Sequence, residues 1–555
     1  MNQESLWAIP LGGLGEFGMN MLALRYGDNI LVIDAGMMFP EAELLGVDVV
    51  IPDITYLKQN RAMVRGIVLT HAHEDHIGAV SYILRDLNVP IYGTRFTLEL
   101  VRRRLDEHGL LDQAKLNEIK AGGTLQIGPF GLEFIHVTHS TIDCVALAIR
   151  TPLGIIIHTG DFKIDTTPID GIPFDLHAFA RYGQEGVLAL FSDSTNVERP
   201  GFTPSERAVW PRLEELIRSS PRRAIVTCFA SSIHRIQQVM DIAVESGRKI
   251  GIVGRSMQNN VETAHSLGFL RIPDGSMVRG QDLRTFDPKR LVILVSGSQG
   301  EPMSALSRLA VDNHRLFSIH ERDTVVISAR LIPGNEKAIF RLIDHLFRRQ
   351  VVVYYEGNPS APIHVSGHAS QEEMKILLSL VKPRYFIPIH GEYRHLFRHA
   401  ALAQQVGAVS GEVIMLESGQ PVEFNSEGAF RREPVQAGRV LVDSGSLEEL
   451  EDVVIRDRRH LAEDGVVVPI IAIDKHSGKI ETRPEIVTRG FLPSEDGQEI
   501  MDRIREVLLK TMAEANTEER GDYGVIKEKI RADLKRYLNK QTSKRPLILP
   551  VILEV

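Results

Sequence analysis

Short apolar runs that stop abruptly at a polar or charged residue recur along the chain, and they predict a protein built largely from buried strands. Residues 19–26 and 29–33 read as two strands hinged at Gly27-Asp28, with Asp34 closing the second. Residues 66–69 run into His71-Ala72-His73-Glu74-Asp75-His76, residues 131–137 into Thr138-His139-Ser140, and residues 154–157 into His158-Thr159-Gly160-Asp161. Residues 187–191 end at Ser192-Asp193-Ser194-Thr195, and residues 385–389 at His390. From about residue 203 the pattern changes. Strands at 224–227, 249–253, 291–295 and 324–328 alternate with helical stretches such as 233–245 and 337–348, the order of a parallel, doubly wound sheet. Residues 439–451 read as a connector rich in Ser, Gly and acid. Beyond it lies a small α/β module, with two strands within 464–488, amphipathic helices at 497–513 and 526–539, and a final strand at 546–555.

The histidine-rich stretch carries the strongest chemical signal. His71, His73, Asp75 and His76 stand at i, i+2, i+4 and i+5, a spacing that no regular element gathers on one face. A loop at the end of a strand does gather it, with a helix starting in the apolar run 77–84. Imidazole nitrogens and a carboxylate oxygen suit zinc or manganese, so the stretch reads as half of a two-metal site. Taken singly, His139 and Asp161 are ordinary polar residues. Recurring at strand ends beside such a cluster they read as further ligands, and His390 completes a set of seven. Asp34 either orients a metal-binding histidine or simply closes a turn.

Other motifs change the picture less. Gly13-Leu14-Gly15-Glu16-Phe17-Gly18 spells a dinucleotide-binding fingerprint, but strands follow it with no space for the crossover helix, so it is read as a decoy. The loops 230–232, 254–256, 296–300 and 329–330 follow strands of the α/β region. They are candidates for phosphate contact, with Arg255 and Arg330 supplying charge. Arg95 and Arg102 to Arg104 could face phosphates or form a solvated helix face. The same choice holds for the basic stretch 527–544, which could also be an oligomer contact. The acidic loop 41–48 together with Asp443 is a candidate for an additional structural cation.

Length and composition set the limits. A chain of 555 residues exceeds one core and should divide into about three domains. With 43% hydrophobic and 25% charged residues it has the make-up of an ordinary globular protein. Cys144 and Cys228 are too few for a disulfide framework, which points to a reducing cytoplasm. Met1-Asn2-Gln3-Glu4-Ser5 has no basic stretch leading into an apolar one, and no apolar run approaches the roughly 20 residues of a membrane span. Neither secretion nor a membrane partner is expected. A net charge of −8 argues against coating nucleic acid through bulk charge, while leaving room for a local basic groove.

The set His71, His73, Asp75, His76, His139, Asp161 and His390 resembles the metallo-β-lactamase fold in order and strand-end placement. The inserted α/β region, with Asp193 before it and His368 after it, resembles the β-CASP branch of nucleic-acid hydrolases. Gly297-Ser298-Gln299-Gly300-Glu301-Pro302, Ile332-Pro333-Gly334-Asn335-Glu336 and Pro388-Ile389-His390-Gly391-Glu392-Tyr393-Arg394 closely resemble bacterial ribonuclease J, a likeness that spans the whole chain. One departure is that His139-Ser140-Thr141-Ile142-Asp143 lacks a proline expected before the aspartate, which touches loop shape and spares the ligand.

The resemblance implies an α/β fold in which an αββα sandwich is assembled from residues 1–203 and 357–440. The β-CASP domain is inserted at 204–356, 441–460 is a linker, and 461–555 is the C-terminal domain. It implies that His71, His73 and His139 hold one divalent ion, that Asp75, His76 and His390 hold the other, and that Asp161 bridges them. Asp193 and His368 would complete the catalytic group, either of them donating the proton, and His364, Val365, Ser366, Gly367 and His368 would bind substrate.

The activity implied is a metal-dependent ribonuclease, a 5′-to-3′ exonuclease with endonuclease activity in RNA decay and processing. Its partner would be single-stranded RNA, preferably 5′-monophosphorylated at a pocket of Ser366, Gly367 and the Ser298 loop. A homodimer or homotetramer and RNA-degradation complex partners are also implied. His390 favours RNA over DNA, because DNA-acting members of the branch usually lack it. The alternatives are another hydrolase on the same sandwich, acting on a lactone, thioester or DNA phosphodiester, and a non-catalytic RNA-binding scaffold.

Overall fold

The computed structural model describes residues 5–40, 44, 46–301, 304–332, 335–355, 360–443, 448–449, 452–474, 480–491, 497–515, 523–542 and 544–554. They form two compact units, Met1–Met38 with Val50–Val440 and Phe39–Val49 with Leu441–Val555.

In the larger unit the apolar runs pair into two mixed sheets. One has the order Ala429–Arg431, Val422–Phe424, Leu6–Gly12, Met21–Tyr26, Asn29–Ile33, Val64–Val68, Ile91–Gly93 and Leu116–Glu118. The other runs Glu412–Val413, Tyr385–Ile389, Val187–Asp193, Gly154–His158, Val145–Thr151, Phe130–His136 and Thr124–Ile127. Side chains alternate between the two faces of a strand. Leu24, Leu31 and Ile33 of the first sheet therefore share one buried cluster with Phe134, Leu147, Ile149, Phe191 and Ile387 of the second. Each such side chain contributes about 1.5–3 kcal/mol by leaving water. The alternate residues Ile135, Ala146, Ile157 and Phe386 face outward and meet Phe179, Leu377 and Leu402 from the helices Leu176–Glu185, Gln371–Val381 and Tyr393–Val406. On the far side, helix Arg95–Glu107 packs beside Ile91–Gly93 and Leu116–Glu118. This is the αββα arrangement expected.

Parallel register decides where the chemistry sits. Val187–Asp193 runs parallel to both of its neighbours, with Phe191 opposite His158 and Asp193 opposite Ile389. In the other sheet Ile33 lies opposite Val68, again in parallel. Strands in parallel register finish at the same edge, so the residues that follow them are delivered to one place.

The inserted region holds a wholly parallel sheet in the order Lys249–Val253, Leu291–Val295, Ala224–Thr227, Thr324–Ile327 and Val352–Tyr354. Val226 and Leu294 bury one face with Leu213, Ile236 and Val261, while Ile225 and Ile293 bury the other with Leu309 and Ile339. Buried on both faces, these strands read as continuous apolar runs.

The glycine fingerprint has no crossover helix after it. Leu14–Gly15 pairs with Gly391–Glu392, and the chain goes directly into strand Met21–Tyr26.

The smaller unit centres on strand Val466–Ile473, paired with Glu485–Arg489, Leu547–Ile548 and Val551–Glu554. Helices Gly497–Glu514 and Tyr523–Thr542 close it through Ile504, Leu508, Ile530 and Leu534. The segment expected as a linker carries the helix Asp452–Glu463. Asp443, a candidate cation ligand, is ion-paired with Arg458 at 3.7 Å, while Glu41 and Glu43 lie outside the described residues. Pro302, Pro333 and Gly334 of the family-like motifs also lie outside them. Among the described residues no helix is long and apolar enough to cross a membrane.

Candidate metal centre

The loop after Val64–Val68 turns into a helix earlier than its sequence suggests. The turn Glu74–Ile77 is already helical, so Asp75 and His76 stand on its first turn while His71 and His73 precede it. The backbone of a neighbouring loop clamps this segment, with Ala35 N donating to His76 O (2.7 Å), Met37 N to Glu74 O (3.0 Å) and Asn20 N to Asp75 O (3.0 Å). Gly36 makes the approach possible, since a Cβ there would lie 1.7 Å from the Asp75 carbonyl oxygen.

His71 Nε2, His73 Nδ1 and His139 Nε2 converge, 3.2 Å from His71 to His73 and 3.1 Å from His139 to His73. Asp161 Oδ2 lies 3.6 and 3.7 Å from the His71 and His139 nitrogens. Beside them, His76 Nε2 is 3.3 Å from Asp161 Oδ2 and 3.6 Å from Asp75 Oδ2, and His390 Nε2 is 3.1 Å from Asp75 Oδ2. Asp161 thus belongs to both clusters, and to a third with Asp193, His368 and His390. Nitrogens bound at 2.0–2.1 Å around a tetrahedral ion lie about 3.4 Å apart, close to the spacing of the first cluster.

Hydrogen bonds fix which nitrogen faces inward. His139 Nδ1 donates to Gly367 O (2.7 Å) and His76 Nδ1 to Asp34 Oδ2 (2.7 Å), so Nε2 of each ring is the nitrogen turned toward the centre. Asp34 also accepts from Thr70 N (2.8 Å) and Thr70 Oγ1 (2.9 Å). His390 Nδ1 lies 2.7 Å from Thr195 Oγ1 and 3.2 Å from Asp193 Oδ1. Asp34 and His390 both adopt positive φ, +61° and +56°, a left-handed conformation tolerated best by Asn, Asp and His, and one that re-aims a side chain at a strand end.

Electrostatics divide the histidines into two sets. Burial, reinforced by neighbouring imidazoles, holds His71 and His139 well below the usual range, and burial holds His73 at about 4 despite Asp75 and Asp161. Burial would lower His76 too, but Asp161, Asp75 and Asp34 raise it well above its ordinary value. Burial likewise opposes charge on His390, yet Asp161 and hydrogen bonds to Asp193 and Asp75 raise it to about 10. Burial would raise Asp161, Asp75 and Asp193, but the surrounding imidazoles hold all three low. Two buried carboxylates, Asp161 and Asp193, and the partly exposed Asp75 thus face two imidazoliums, and dications taking the place of the two protons would satisfy them better. The donor set of imidazole nitrogens and ionised carboxylates fits borderline divalent cations.

Next to this centre, Asp193 Oδ2 accepts from His368 Nδ1 at 2.8 Å. The segment expected to bind substrate divides in its placement. Val365 is buried in the core of the inserted region, and His364 Nδ1 lies 3.4 Å from Arg235 Nη1. Ser366 Oγ accepts from Asn196 Nδ2 (2.8 Å), and Gly367 packs against the His139 ring, where a Cβ would come within 2.7 Å. Arg330, expected to offer charge to phosphate, donates to Asn196 Oδ1 at 2.7 Å. Arg104 pairs with Glu74, and Arg102 with Glu99 at 3.3 Å. Sequence reasoning missed Asn20, Gly36, Thr70 and Asn196. Only Thr195, in the polar run after a strand, carried a visible signal.

A two-cluster His/Asp centre at one edge of an αββα sandwich defines the class, a metallo-β-lactamase-fold hydrolase, and residues 14–220 match the metallo-beta-lactamase superfamily. Residues 221–346 match the ribonuclease J beta-CASP domain, 361–415 the Zn-dependent metallo-hydrolase RNA specificity domain, and 453–555 the ribonuclease J C-terminal domain. The chain is 38% identical over 554 residues to ribonuclease J2 of Bacillus subtilis, covering 100% of this chain and 99% of that protein. To ribonuclease J of Thermus thermophilus it is 40% identical over 559 residues (100% and 96%), and to that of Helicobacter pylori 38% over 552 (99% and 79%). The chain belongs to the ribonuclease J family. A crystal structure of a protein of unknown function from Enterococcus faecalis V583 shares the fold at 16% identity, with a TM-score of 0.53 over 76% of this chain and 100% of that one.

Proposed function

We propose that this protein is a metal-dependent ribonuclease that removes nucleotides from the 5′ end of single-stranded RNA in the 5′-to-3′ direction and also cuts internally. The observation that carries this reading is the convergence of six His and Asp side chains on shared Asp161, next to the Asp193–His368 pair, in a chain of the ribonuclease J family. His71, His73 and His139 would hold one divalent ion, zinc or manganese, and Asp75, His76 and His390 the other, with Asp161 shared. When bound, two such ions supply an activated water at neutral pH and neutralise charge on the phosphate. The protein's own groups do the rest. Asp34 and Gly367 O orient His76 and His139. Asp193 holds His368 by Nδ1, which leaves Nε2 to exchange a proton with the departing ribose oxygen. Ser366 and Gly367, small residues beside His368, suit close approach of a 5′ monophosphate. Assembly as a homodimer or homotetramer and action in the cytoplasm are part of the same proposal.

Digestion of one RNA labelled at either end, with defined metals, tests the proposal. Parent enzyme should release mononucleotides from a 5′-monophosphorylated end faster than from a 5′-triphosphorylated one. His76→Ala and His390→Ala should lose cleavage while RNA binding persists. Parent-like cutting by those variants would end the metal-centre reading.

A further inference from the structure

A buried amide joins the segment that carries His368 to the inserted region. Asn196, 1% exposed, lies just beyond strand Val187–Asp193. Its Nδ2 donates to Ser366 Oγ (2.8 Å) and to the His368 carbonyl oxygen (3.0 Å), and its Oδ1 accepts from Arg330 Nη1 (2.7 Å). A guanidinium only donates and a carbonyl only accepts, so this carboxamide has one workable orientation and both of its N–H groups are used.

Each end of the linkage is itself held. Arg330 follows strand Thr324–Ile327 of the inserted sheet, and Gln299, from the loop after Leu291–Val295, grips its backbone. Gln299 Nε2 donates to Arg330 O (2.9 Å), while its Oε1 accepts from Ile332 N (2.9 Å). At the other end, His368 N donates to Ser366 Oγ (3.2 Å), and the His368 carbonyl also accepts from Thr203 Oγ1 (2.7 Å). The His368 imidazole, 19% exposed, is tied to Asp193 through Nδ1. A bond at Nδ1 leaves the direction of Nε2 to the backbone that carries the ring. Reacting groups need placement to about 0.5 Å, which neighbouring hydrogen bonds supply.

We propose, on the reading that His368 serves the departing ribose oxygen, that Arg330 and Asn196 are positioning residues through which the inserted region sets the reach of His368. Arg330 directs an N–H at a neutral amide, and the amide passes that constraint to the His368 backbone. Asn196→Asp keeps the size of the side chain and an acceptor for Arg330, yet has no N–H for the His368 carbonyl. Arg330→Met removes the guanidinium at an exposed position, where folding is retained, and Arg330→Lys keeps a donor.

Steady-state cleavage of end-labelled RNA by metal-loaded Asn196→Asp and Arg330→Met should show kcat lower by about 100-fold, with KM and metal content unchanged. Arg330→Lys should recover part of the rate. In a His368→Ala background neither substitution should slow the enzyme further, because both act through a ring that is gone. Carbon-13 NMR of zinc-loaded protein labelled at histidine Cε1 gives a readout apart from activity. The His368 signal, identified by its loss in His368→Ala, should shift in Asn196→Asp and in Arg330→Met. An unmoved His368 signal in both variants, loss of metal, a further loss of rate in the His368→Ala background, or a raised KM at unchanged kcat overturns the linkage. Parent-like cutting by His368→Ala, alongside a shifted signal in the other two, ends the role given to His368 and leaves the linkage standing.

Discussion

Asp34 accepts hydrogen bonds from Thr70 N, Thr70 Oγ1 and His76 Nδ1 while standing in a left-handed backbone conformation. One carboxylate thereby ties the strand-end loop to the ring that faces the second metal position. Asp34→Ala should lower affinity for the ion that His76 would hold by about 10–100-fold, the usual consequence of losing the partner that orients a ligating histidine. Asp34→Asn, whose amide oxygen still accepts from Nδ1, should recover part of it. Competitive metal titration reads the effect, and unchanged affinity in the alanine variant would reduce Asp34 to a turn residue. This residue was half legible, because a strand-end acid invites both readings. His71 through His76 were fully visible, since spacing within a single loop is a local property. Asn20, by contrast, reaches the Asp75 carbonyl across 55 positions (Nδ2, 3.0 Å), and nothing beside it in sequence marks that contact.

Strands and helices deliver these residues, and their existence was legible for the same reason that their neighbours were not. Apolar runs announce strands, but only folding shows that Val187–Asp193 lies between Gly154–His158 and Tyr385–Ile389. Helix Tyr393–Val406, which follows His390, shows a comparable limit. Its spacing of Leu396, His399, Ala400 and Ala403 marks an inward face, yet a histidine there reads as polar. His399 is fully buried, 3.0 Å from Ser194 Oγ through Nδ1 and edge-on to Phe386, and its Nε2 has no hydrogen-bond partner among the described residues. Burial lowers its pKa to about 4. The unfolded chain, with His near 6.5, therefore binds more protons than the native one as the pH falls. Stability from this group is full above about pH 6.5, is lost progressively down to about pH 4, and changes no further below it. Between pH 7 and pH 5 the loss should be about 2 kcal/mol, and His399→Gln should remove that slope. Urea denaturation of both proteins at the two pH values would refute the assignment if their curves shifted equally.

At the scale of the whole molecule, two units differ in what holds them together. The larger gathers candidate ligands from residue 71 to residue 390, so dications bound there would cross-link strands that are distant along the chain. The smaller is closed by its own apolar cluster of Val467, Ile471, Ile504, Leu508, Ile530 and Leu534, and the candidate metal clusters among the described residues all lie outside it. Binding to the native state alone adds stability that grows with ion concentration, about 4 kcal/mol at a thousandfold excess over the dissociation constant. Without ions, Asp75, Asp161 and Asp193 remain crowded in a buried centre neutralised only in part by His76 and His390. Calorimetry before and after chelation should therefore show one transition lowered by several degrees and a second left in place. Limited proteolysis during the melt should assign the lowered transition to residues 50–440 and the unmoved one to residues 441–555. Restored zinc or manganese should return the first transition to its original temperature, whereas magnesium, which prefers oxygen ligands, should do so only weakly. If chelation moved neither transition, the histidines and aspartates around Asp161 would be holding one another in place without ions, and the centre would lose its claim to be a metal site.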